Sequence, residues 1–464
     1  MKNSVLVVCL LSLMGVKAQS PQVSLNLDWE VPFTFANMAM TIEPDQQGRD
    51  YMYVAGKTQG LIIYDISGTP SKIKTITKNE LDTLDVMSVS QSGNYLYLSL
   101  GNSFSSGEYP GMAIVDISTP SAAVVTDIWK KYSGAKTGGG LVKVEGNYAY
   151  FGAMGDGLII FDVTDKNNIV YKSTIVPDIN YPDANPDKAK YNARGMEVRN
   201  DTIYLCYDAS GLRIIDATNK LNPVQIGQYS NPALNGKPRA YNNIVLDDSL
   251  AYIAVDYAGM EILSIRQPSN IKMVGWWNQW GTANWFSSRG HANEIQYDKA
   301  SKLIFMSTGK SDLNVVSVVN PSLPDSVAIF GGVDNNQGTW GLGKYHDKIY
   351  LGYIFIPLCI PFCSSWGGVK RVSWSSTTGI ENPEQPSSLL YPNPSSGEIT
   401  VELNSSEKGK VEVYDLMGKK VYHENFAEGS TQVNLSLEHL NSGTYVVVIR
   451  TKESVVYNKL VLED

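Results

Sequence analysis

Three arginines stand just before successive strands of the sequence, where their charges would meet a bound ligand. Arg194, Arg239 and Arg289 precede predicted strands in related positions, and His291 and Trp340 occupy similar places. Guanidinium groups bind carboxylates and other anions through paired hydrogen bonds. This spacing predicts one ligand site shared by several strands. The alternative is a set of separate arginine–carboxylate pairs, with these candidate partners: Asp183, Asp187, Asp247 and Glu294.

A tryptophan-rich segment, residues 275–290 (GWWNQWGTANWFSSRG), is the second candidate for ligand binding. It contains Trp276, Trp277, Trp280 and Trp285. Indole faces stack on sugar rings, and neighbouring amides hydrogen-bond hydroxyl groups. The segment therefore predicts a loop that binds a glycan or another flat surface. The alternative interpretation is that the rings pack the loop onto the fold.

The four cysteines are too few for a rich metal site but allow one disulfide. Cys359 and Cys363 stand four residues apart in IPLCIPFCSSW. In an exported protein this spacing predicts a disulfide that closes a loop, and two buried thiols are the alternative. A metal site needs more ligands than this loop supplies. Cys206, in the strand-like IYLCY, is expected to be buried and inert.

These candidates are carried by a unit that repeats seven times between about residues 38 and 374. Its clearest copy is LVKVEGNYAYFGAMGDGLIIFDV, residues 141–163, which predicts short strands separated by Gly-Asn and Asp-Gly turns. Radial repetition of four-stranded units leaves few exposed sheet edges. We therefore predict an all-β fold, a seven-bladed β-propeller followed by a small Ig-like β-sandwich. One point of the repeat is marked by five glycines, Gly60, Gly111, Gly157, Gly211 and Gly259.

The repeated segments GLIIYDIS, GMAIVDIS, GLIIFDVT and GLRIIDAT resemble the LVIVD-repeat family. That resemblance implies an extracellular or surface propeller with no defined reaction. Four of the repeats share an aspartate, which we interpret as a turn residue accepting backbone hydrogen bonds rather than as part of a carboxylate ring. These aspartates are Asp65, Asp116, Asp162 and Asp216.

The tail of the chain carries a second resemblance. YPNPSSG, VYDLMGKKV, LNSGTYVV and the terminal KLVLE resemble the type A C-terminal sorting domain of type IX secretion. The resemblance implies that residues 389–464 engage the type IX secretion machinery. It also implies passage through the outer membrane of a Gram-negative bacterium, followed by release or attachment to the cell surface.

The resulting domain boundaries begin with a signal peptide at residues 1–18, which has an apolar run and a small residue at its end. Residues 19–378 form the propeller, in which residues 22–28 complete the last blade. Residues 379–388 are a linker, and residues 389–464 are the sorting domain. No later segment is long and apolar enough to span a bilayer, so the mature chain has no transmembrane segment. The net charge of −8 argues against nucleic-acid binding.

Function is expected on the face that carries the longest insertions. In a propeller, the loops between strands two and three and the loops between blades emerge on the same face, and four insertions fall there: 102–110, 178–190, 275–290 and 355–367. Long loops on a rigid scaffold favour binding. We predict a non-catalytic secreted or surface propeller that binds a glycan or a surface protein, with no cofactor and no metal.

Two alternatives to this prediction remain. A sialidase-like glycoside hydrolase would need two positioned carboxyl groups, for which Glu197 and Glu294 are the candidates. No G-x-S-x-G, H-E-x-x-H or phosphate-binding loop occurs in the sequence. The other alternative is a purely structural component of the cell surface.

Overall fold

Seven four-stranded antiparallel sheets make up most of the chain, and two further sheets follow them. The chain divides into two compact units, residues 1–379 and 380–464. This computed structural model describes the following ranges: 21–33, 39–102, 107–134, 136–278, 291–309, 312–332, 335–356, 363–377, 390–403, 407–415, 418–452 and 455–463. The predicted signal peptide, residues 1–18, lies outside them.

The first strand, β1 (Gln22–Pro32), belongs to the last blade, and six blades follow it along the chain. The strands of blades one to three are β2 (Ile42–Pro44), β3 (Tyr51–Ala55), β4 (Leu61–Asp65), β5 (Ser71–Ile76), β6 (Val86–Ser92), β7 (Tyr95–Leu100), β8 (Gly111–Asp116), β9 (Val124–Lys130), β10 (Val142–Glu145), β11 (Tyr148–Gly152), β12 (Leu158–Asp162) and β13 (Val170–Ile175). The strands of blades four to six are β14 (Met196–Arg199), β15 (Thr202–Cys206), β16 (Leu212–Asp216), β17 (Val224–Tyr229), β18 (Ala240–Asp247), β19 (Leu250–Asp256), β20 (Gly259–Ser264), β21 (Lys272–Trp277), β22 (Ile295–Asp298), β23 (Leu303–Ser307), β24 (Leu313–Ser317) and β25 (Asp325–Phe330).

Blade seven contains β26 (Thr339–Tyr345), β27 (Lys348–Tyr353) and β28 (Gly368–Thr377), with β1 as its outer strand. β1 pairs antiparallel with β28 from Gln22 opposite Thr377 to Pro32 opposite Gly368. The N-terminal strand therefore closes the ring. Within the described ranges, the helical segments are short 3₁₀ turns: Lys78–Leu81, Pro120–Ala122, Lys188–Lys190, Pro232–Leu234 and Pro268–Asn270.

Burial is greatest in the second and third strands of each blade and least in the outer strand, and this difference explains the residue pattern. β4 (LIIYD) is buried on both faces because neighbouring blades cover it, so it is continuously apolar. β5 (SKIKTI) lies at the rim and is mostly polar. Seven hydrophobic clusters fill the spaces between successive blades, and one of them joins blade seven to blade one.

The turns of the repeat follow from their sequence. Gly60 and Gly211 have φ values of +88° and +91°, and an added Cβ would lie 2.0 and 2.1 Å from a carbonyl oxygen of the outer strand. Glycine is required there by backbone conformation and by space. The aspartates that end the third strands accept hydrogen bonds at their Oδ1 atoms, as Asp162 does from the amide and hydroxyl of Thr164. The turn interpretation of these aspartates is confirmed.

The C-terminal unit has its own hydrophobic core between two sheets. One sheet contains β29 (Leu390–Tyr391), β30 (Glu398–Glu402) and β33 (Gln432–Ser436). The other contains β31 (Gly409–Asp415), β32 (Lys420–Phe426), β34 (Gly443–Arg450) and β35 (Val455–Leu462). Both sheets are antiparallel and contribute residues to one apolar core, as the sequence predicts for a small β domain.

Candidate functional site

The innermost strands of the seven blades begin at the face that carries the long insertions, and their first residues surround the ring axis. Strand register identifies equivalent positions, because Ile42, Met196 and Ile244 each lie opposite the matching residue of the second strand. In each of the seven blades, the residue two positions earlier faces the ring axis, and these seven residues form one ring. We call it the mouth ring, and its members are Met40, Met87, Gly140, Arg194, Asn242, Asn293 and Trp340.

The mouth ring surrounds a cavity of 110 Å³, which continues past Thr41, Ser88 and Glu294. Arg194 donates from Nη1 to Oδ1 of Asn242 at 2.9 Å, and its Nε lies 3.2 Å from Oδ2 of Asp208. Burial raises the pKa of Asp208, and Arg194 opposes that rise. Arg194 is thus a cation held at the cavity wall by an amide and a buried carboxyl.

Below the mouth ring, the innermost strands surround a central channel along the ring axis. Three glutamates and one lysine face this channel. Glu43, Lys143 and Glu197 occupy the same register position of their strands, each opposite a tyrosine. Lys143 donates from Nζ to Glu197 at 2.8 Å and interacts electrostatically with Glu43 and Glu294. Although burial opposes its charged form, Glu197 holds the pKa of Lys143 above its usual value.

Burial makes two of these glutamates, Glu43 and Glu294, harder to ionise than free glutamate. Burial raises the pKa of Glu294 to about 7, and a hydrogen bond from the Asn243 amide opposes that rise. Burial likewise raises the pKa of Glu43 to about 7, against the attraction of Lys143. The structure therefore places the predicted acids Glu197 and Glu294 around the same lysine, Lys143.

Arg239 lies away from the mouth ring. It stands three residues before Asn242, which is the ring member of its blade and the extra residue of a β-bulge between Tyr241 and Asn243. Its Nε donates to Ala209 O at 2.8 Å and its Nη1 donates to Leu234 O at 2.9 Å. Arg194 and Arg239 thus line separate cavities, and each has its own carboxylate, as the alternative of separate pairs predicts.

Arg239 forms part of a second and larger cavity between blades four and five, of 580 Å³. We call it the side cleft. It is lined by residues of the insertion 178–190 and of the segment 236–239, together with residues from the adjoining turns. Its polar and aromatic lining residues are Asp183, Asp187, Lys190, Tyr191, Lys237, Arg239 and Tyr257.

His291 is buried, with 1% of its surface exposed, and contributes to packing beside the side cleft. Its Nδ1 lies 2.9 Å from Oδ1 of Asp256, and its ring meets Tyr257 edge-on with centroids 4.7 Å apart. Trp340 belongs to the mouth ring and packs against the cluster between blades one and two. The two residues therefore sit near different cavities.

Trp276 and Trp277 belong to β21, the outer strand of blade five, and not to the loop that follows it. The indole of Trp276 donates to Ala258 O at 2.7 Å, and that of Trp277 donates to Ser326 Oγ at 2.8 Å. Both rings pack in clusters between blades, as the packing alternative predicts. Trp280 and Trp285 lie outside the described residues, as does Arg289.

One functional contact that the sequence analysis missed anchors the insertion 178–190. Arg213 is fully buried in β16 and donates to the carbonyls of Asp178 and Tyr181 at 3.0 and 2.8 Å. Its guanidinium also lies over the rings of Tyr181 and Tyr207. Burial lowers the pKa of Arg213 to about 10. The sequence signal is a charged residue in a strand position where the first three repeats have an apolar one, Ile62, Ala113 and Ile159.

Cysteine and metal chemistry contribute little to this face. Cys206 is free and fully buried in β15, and burial raises the pKa of its thiol, which confirms the expectation of an inert residue. The predicted disulfide stays a prediction, because Cys363 is described and Cys359 is not. Among the described residues, no group of three or more histidine, cysteine or carboxylate side chains is arranged to hold a metal ion.

Comparison with known proteins identifies both parts of the chain. Residues 49–75, 85–128 and 140–175 match the LVIVD repeat, and residues 389–463 match the secretion system C-terminal sorting domain. A curated relative, an ulvan lyase of Nonlabens ulvanivorans, is 27% identical over an alignment of 166 residues that covers 33% of this chain. The chain spans 29% of the length of that relative.

Solved structures support the propeller fold alone. The WD40 repeats of RRP9 match with a TM-score of 0.54 and 9% identity, covering 77% of this chain and all of that one. The β-propeller domain of Cps50 (Swd1) from Myceliophteria thermophila matches with a TM-score of 0.50 and 11% identity, covering 75% of this chain and 99% of that one.

The sorting domain implies secretion or attachment at the cell surface, with the secretion machinery as a partner. In the part of the chain that the structure describes, no helix has the length and apolar character needed to cross a membrane. The repeats, the ring of seven blades and the tail agree with one another. The chain is a seven-bladed β-propeller with LVIVD repeats in its first three blades, followed by a C-terminal sorting domain of type IX secretion.

Proposed function

We propose that this protein is a non-catalytic secreted or surface propeller that binds a glycan through the face carrying the mouth ring and the side cleft. The observation that carries the proposal is the opening of two cavities on this one face, each lined by an arginine and further polar side chains. Polar groups that converge on a concave surface of a rigid scaffold are typical of ligand sites.

The curated relative adds support for a glycan rather than a protein ligand. An ulvan lyase acts on a polysaccharide, and part of its sequence is similar to part of this chain. The sorting domain would deliver the protein to the cell surface or the medium, where it can meet such polymers. The insertion 275–290, which the sequence predicts on the same face, contains Trp280 and Trp285, and indole rings there would extend the contact with sugar rings.

Hydrolysis of the glycan is the weaker candidate. Glu197 and Glu294 share a channel, and one of the two has the raised pKa that a general acid needs. However, Glu197 is held by Lys143, and the cavity lined by Glu294 measures 110 Å³. Sites for small molecules usually measure about 300 Å³ or more, so this cavity admits a polar group at the edge of a sugar but not the whole ring that hydrolysis between two carboxyls requires.

Glycan and polysaccharide arrays with the full chain test the proposal, and we expect retention on at least one class of polymer. Arg194→Gln should weaken that retention by about fivefold or more, because a charge-assisted hydrogen bond at the mouth is lost. Arg199→Gln is the matched control, since Arg199 ends the same strand at the opposite face of the propeller. Absence of binding to every glycan would contradict the proposal and favour a protein partner or a structural role.

A further inference from the structure

Resting on the proposed function, we infer that the side cleft binds an acidic saccharide, a sugar unit bearing a carboxylate or a sulfate group. Its floor is the guanidinium of Arg239, a residue that is 7% exposed. A buried cation at the base of an open cavity sets the sign of charge that the cavity accepts.

Arg239 retains hydrogen-bonding capacity toward the cleft. A guanidinium group has five N–H donors, and three of those of Arg239 are used. Two go to the carbonyl oxygens of Ala209 and Leu234, and the third goes to Oδ2 of Asp183 at the long distance of 3.4 Å. Asp183 is half exposed and also accepts from the Tyr191 hydroxyl. The guanidinium is therefore held in place by backbone, and its partner carboxylate can be displaced by a ligand anion.

Lysines give the cleft a positive excess. Lys190 and Lys237 line it together with Arg239, against the two carboxylates Asp183 and Asp187. Lys190 is paired with Asp187 at 3.3 Å, but its side chain is 69% exposed. Exposed ion pairs contribute little, so this ammonium group can turn to a bound anion at small cost. The local charge thus opposes the overall net charge of −8.

Aromatic rings supply the surface on which a sugar ring would lie. Tyr257 has a φ of +66°, a left-handed conformation that bulky residues rarely adopt. The strained backbone is held by a hydrogen bond from its amide to Oδ1 of Asp256 and by the edge contact with His291. This arrangement directs the ring to the cleft wall. The cleft measures 580 Å³, which accommodates one or two sugar units.

Calorimetric titration of the full chain with three matched oligosaccharides tests the inference. The probes are a uronate oligomer, a sulfated galactose oligomer and an uncharged galactose oligomer of equal length, and they distinguish the two sources of the anion. We expect one acidic probe to bind about tenfold more tightly than the neutral probe. Its affinity should fall as salt rises from about 0.05 M to about 0.5 M, because the added ions screen exposed charges.

Two lysines of one 3₁₀ turn provide a matched pair of variants. Lys190→Ala should weaken binding of the acidic probe by about threefold or more, whereas Lys188→Ala should not, because Lys188 does not line the cleft. Equal binding of acidic and neutral probes, or equal effects of the two variants, would overturn the inference. Binding that is lost in Arg194→Gln but not in Lys190→Ala would reject this cleft and leave the proposed function standing. Failure of every glycan to bind would reject both.

Discussion

Glu294 shows how the channel changes the chemistry of a side chain. Its carboxyl group faces the ring axis, where surrounding protein replaces much of its hydration and raises its pKa to about 7. In the unfolded chain, the carboxyl group has its ordinary pKa of about 4.5. The folded protein therefore keeps a proton that the unfolded chain releases between these two values, and its stability falls as the pH rises through that interval.

Glu294→Gln should stabilise the propeller above pH 7, by on the order of 2 kcal/mol, because the amide needs no proton to stay neutral. The gain should vanish below about pH 4.5, where the carboxyl is protonated in both states. Urea unfolding followed by tryptophan fluorescence at several pH values between these limits measures the difference. A stability gain that does not vary with pH would show that Glu294 is not protonated in the folded protein.

Sequence reasoning identified some residues of the site and misplaced others for one physical reason, strand register. Arg194 and Trp340 stand two residues before equivalent strand positions, so both join the mouth ring. Arg239 stands three residues earlier and lies in the side cleft instead. The sequence does not show this offset, because the register of β18 becomes visible only from its pairing with β19. Arg213 is marked only as a charged residue within a strand, and its backbone carbonyl partners could not be predicted.

At the scale of elements, β1 determines whether the ring is closed. The sequence predicts this strand from its alternation over residues 22–28, and the structure extends it to Pro32. A bulge between Leu27 and Trp29 shifts the register there, so the simple alternation ends while the pairing continues. Asp28 at the bulge binds Arg371 at 2.9 Å, and Trp29 lies under the same guanidinium. β21 likewise extends farther than expected and takes Trp276 and Trp277 into the blade.

Substitutions on the two faces of β1 test its closing role. Leu25 packs between blades six and seven, whereas Leu27 is 48% exposed. Leu25→Asp should lower the unfolding free energy by about 2–3 kcal/mol, because a charge would enter an apolar cluster. Leu27→Asp should change it by no more than about 0.5 kcal/mol. Thermal unfolding of the two variants gives the comparison, and equal melting temperatures would contradict closure by this strand.

At the scale of the whole molecule, the two units respond to pH in opposite directions at their buried glutamates. In the propeller, burial raises the pKa values of Glu43, Glu261 and Glu294 to about 7. In the sorting domain, burial disfavours the charge of Glu412, but hydrogen bonds from Lys410, Lys420 and Arg450 lower its pKa to about 2. The contribution of Glu412 is therefore present above about pH 4.5 and is lost as the pH falls toward 2.

Glu412→Gln should lower the stability of the sorting domain at neutral pH and have little effect near pH 2. The three cations around this position would lose their shared counter-charge, and their mutual repulsion would remain. Scanning calorimetry of the full chain should resolve this change as a shift in one transition, with the propeller transition unchanged. A shift of both transitions together would show that the two units do not unfold independently.

The closing pair of strands also determines how the propeller bears a mechanical load. β28 is hydrogen-bonded on both sides, to β27 and to β1, and among the described strands of the propeller it is the last before the tail. When the tail is fixed to a surface and flow drags on the ring, tension runs along the axis of β28. Two antiparallel ladders then resist in shear, with many hydrogen bonds strained at once, and the strand cannot peel away one bond at a time. The blade that completes the ring therefore also carries the load that the tail transmits to the propeller.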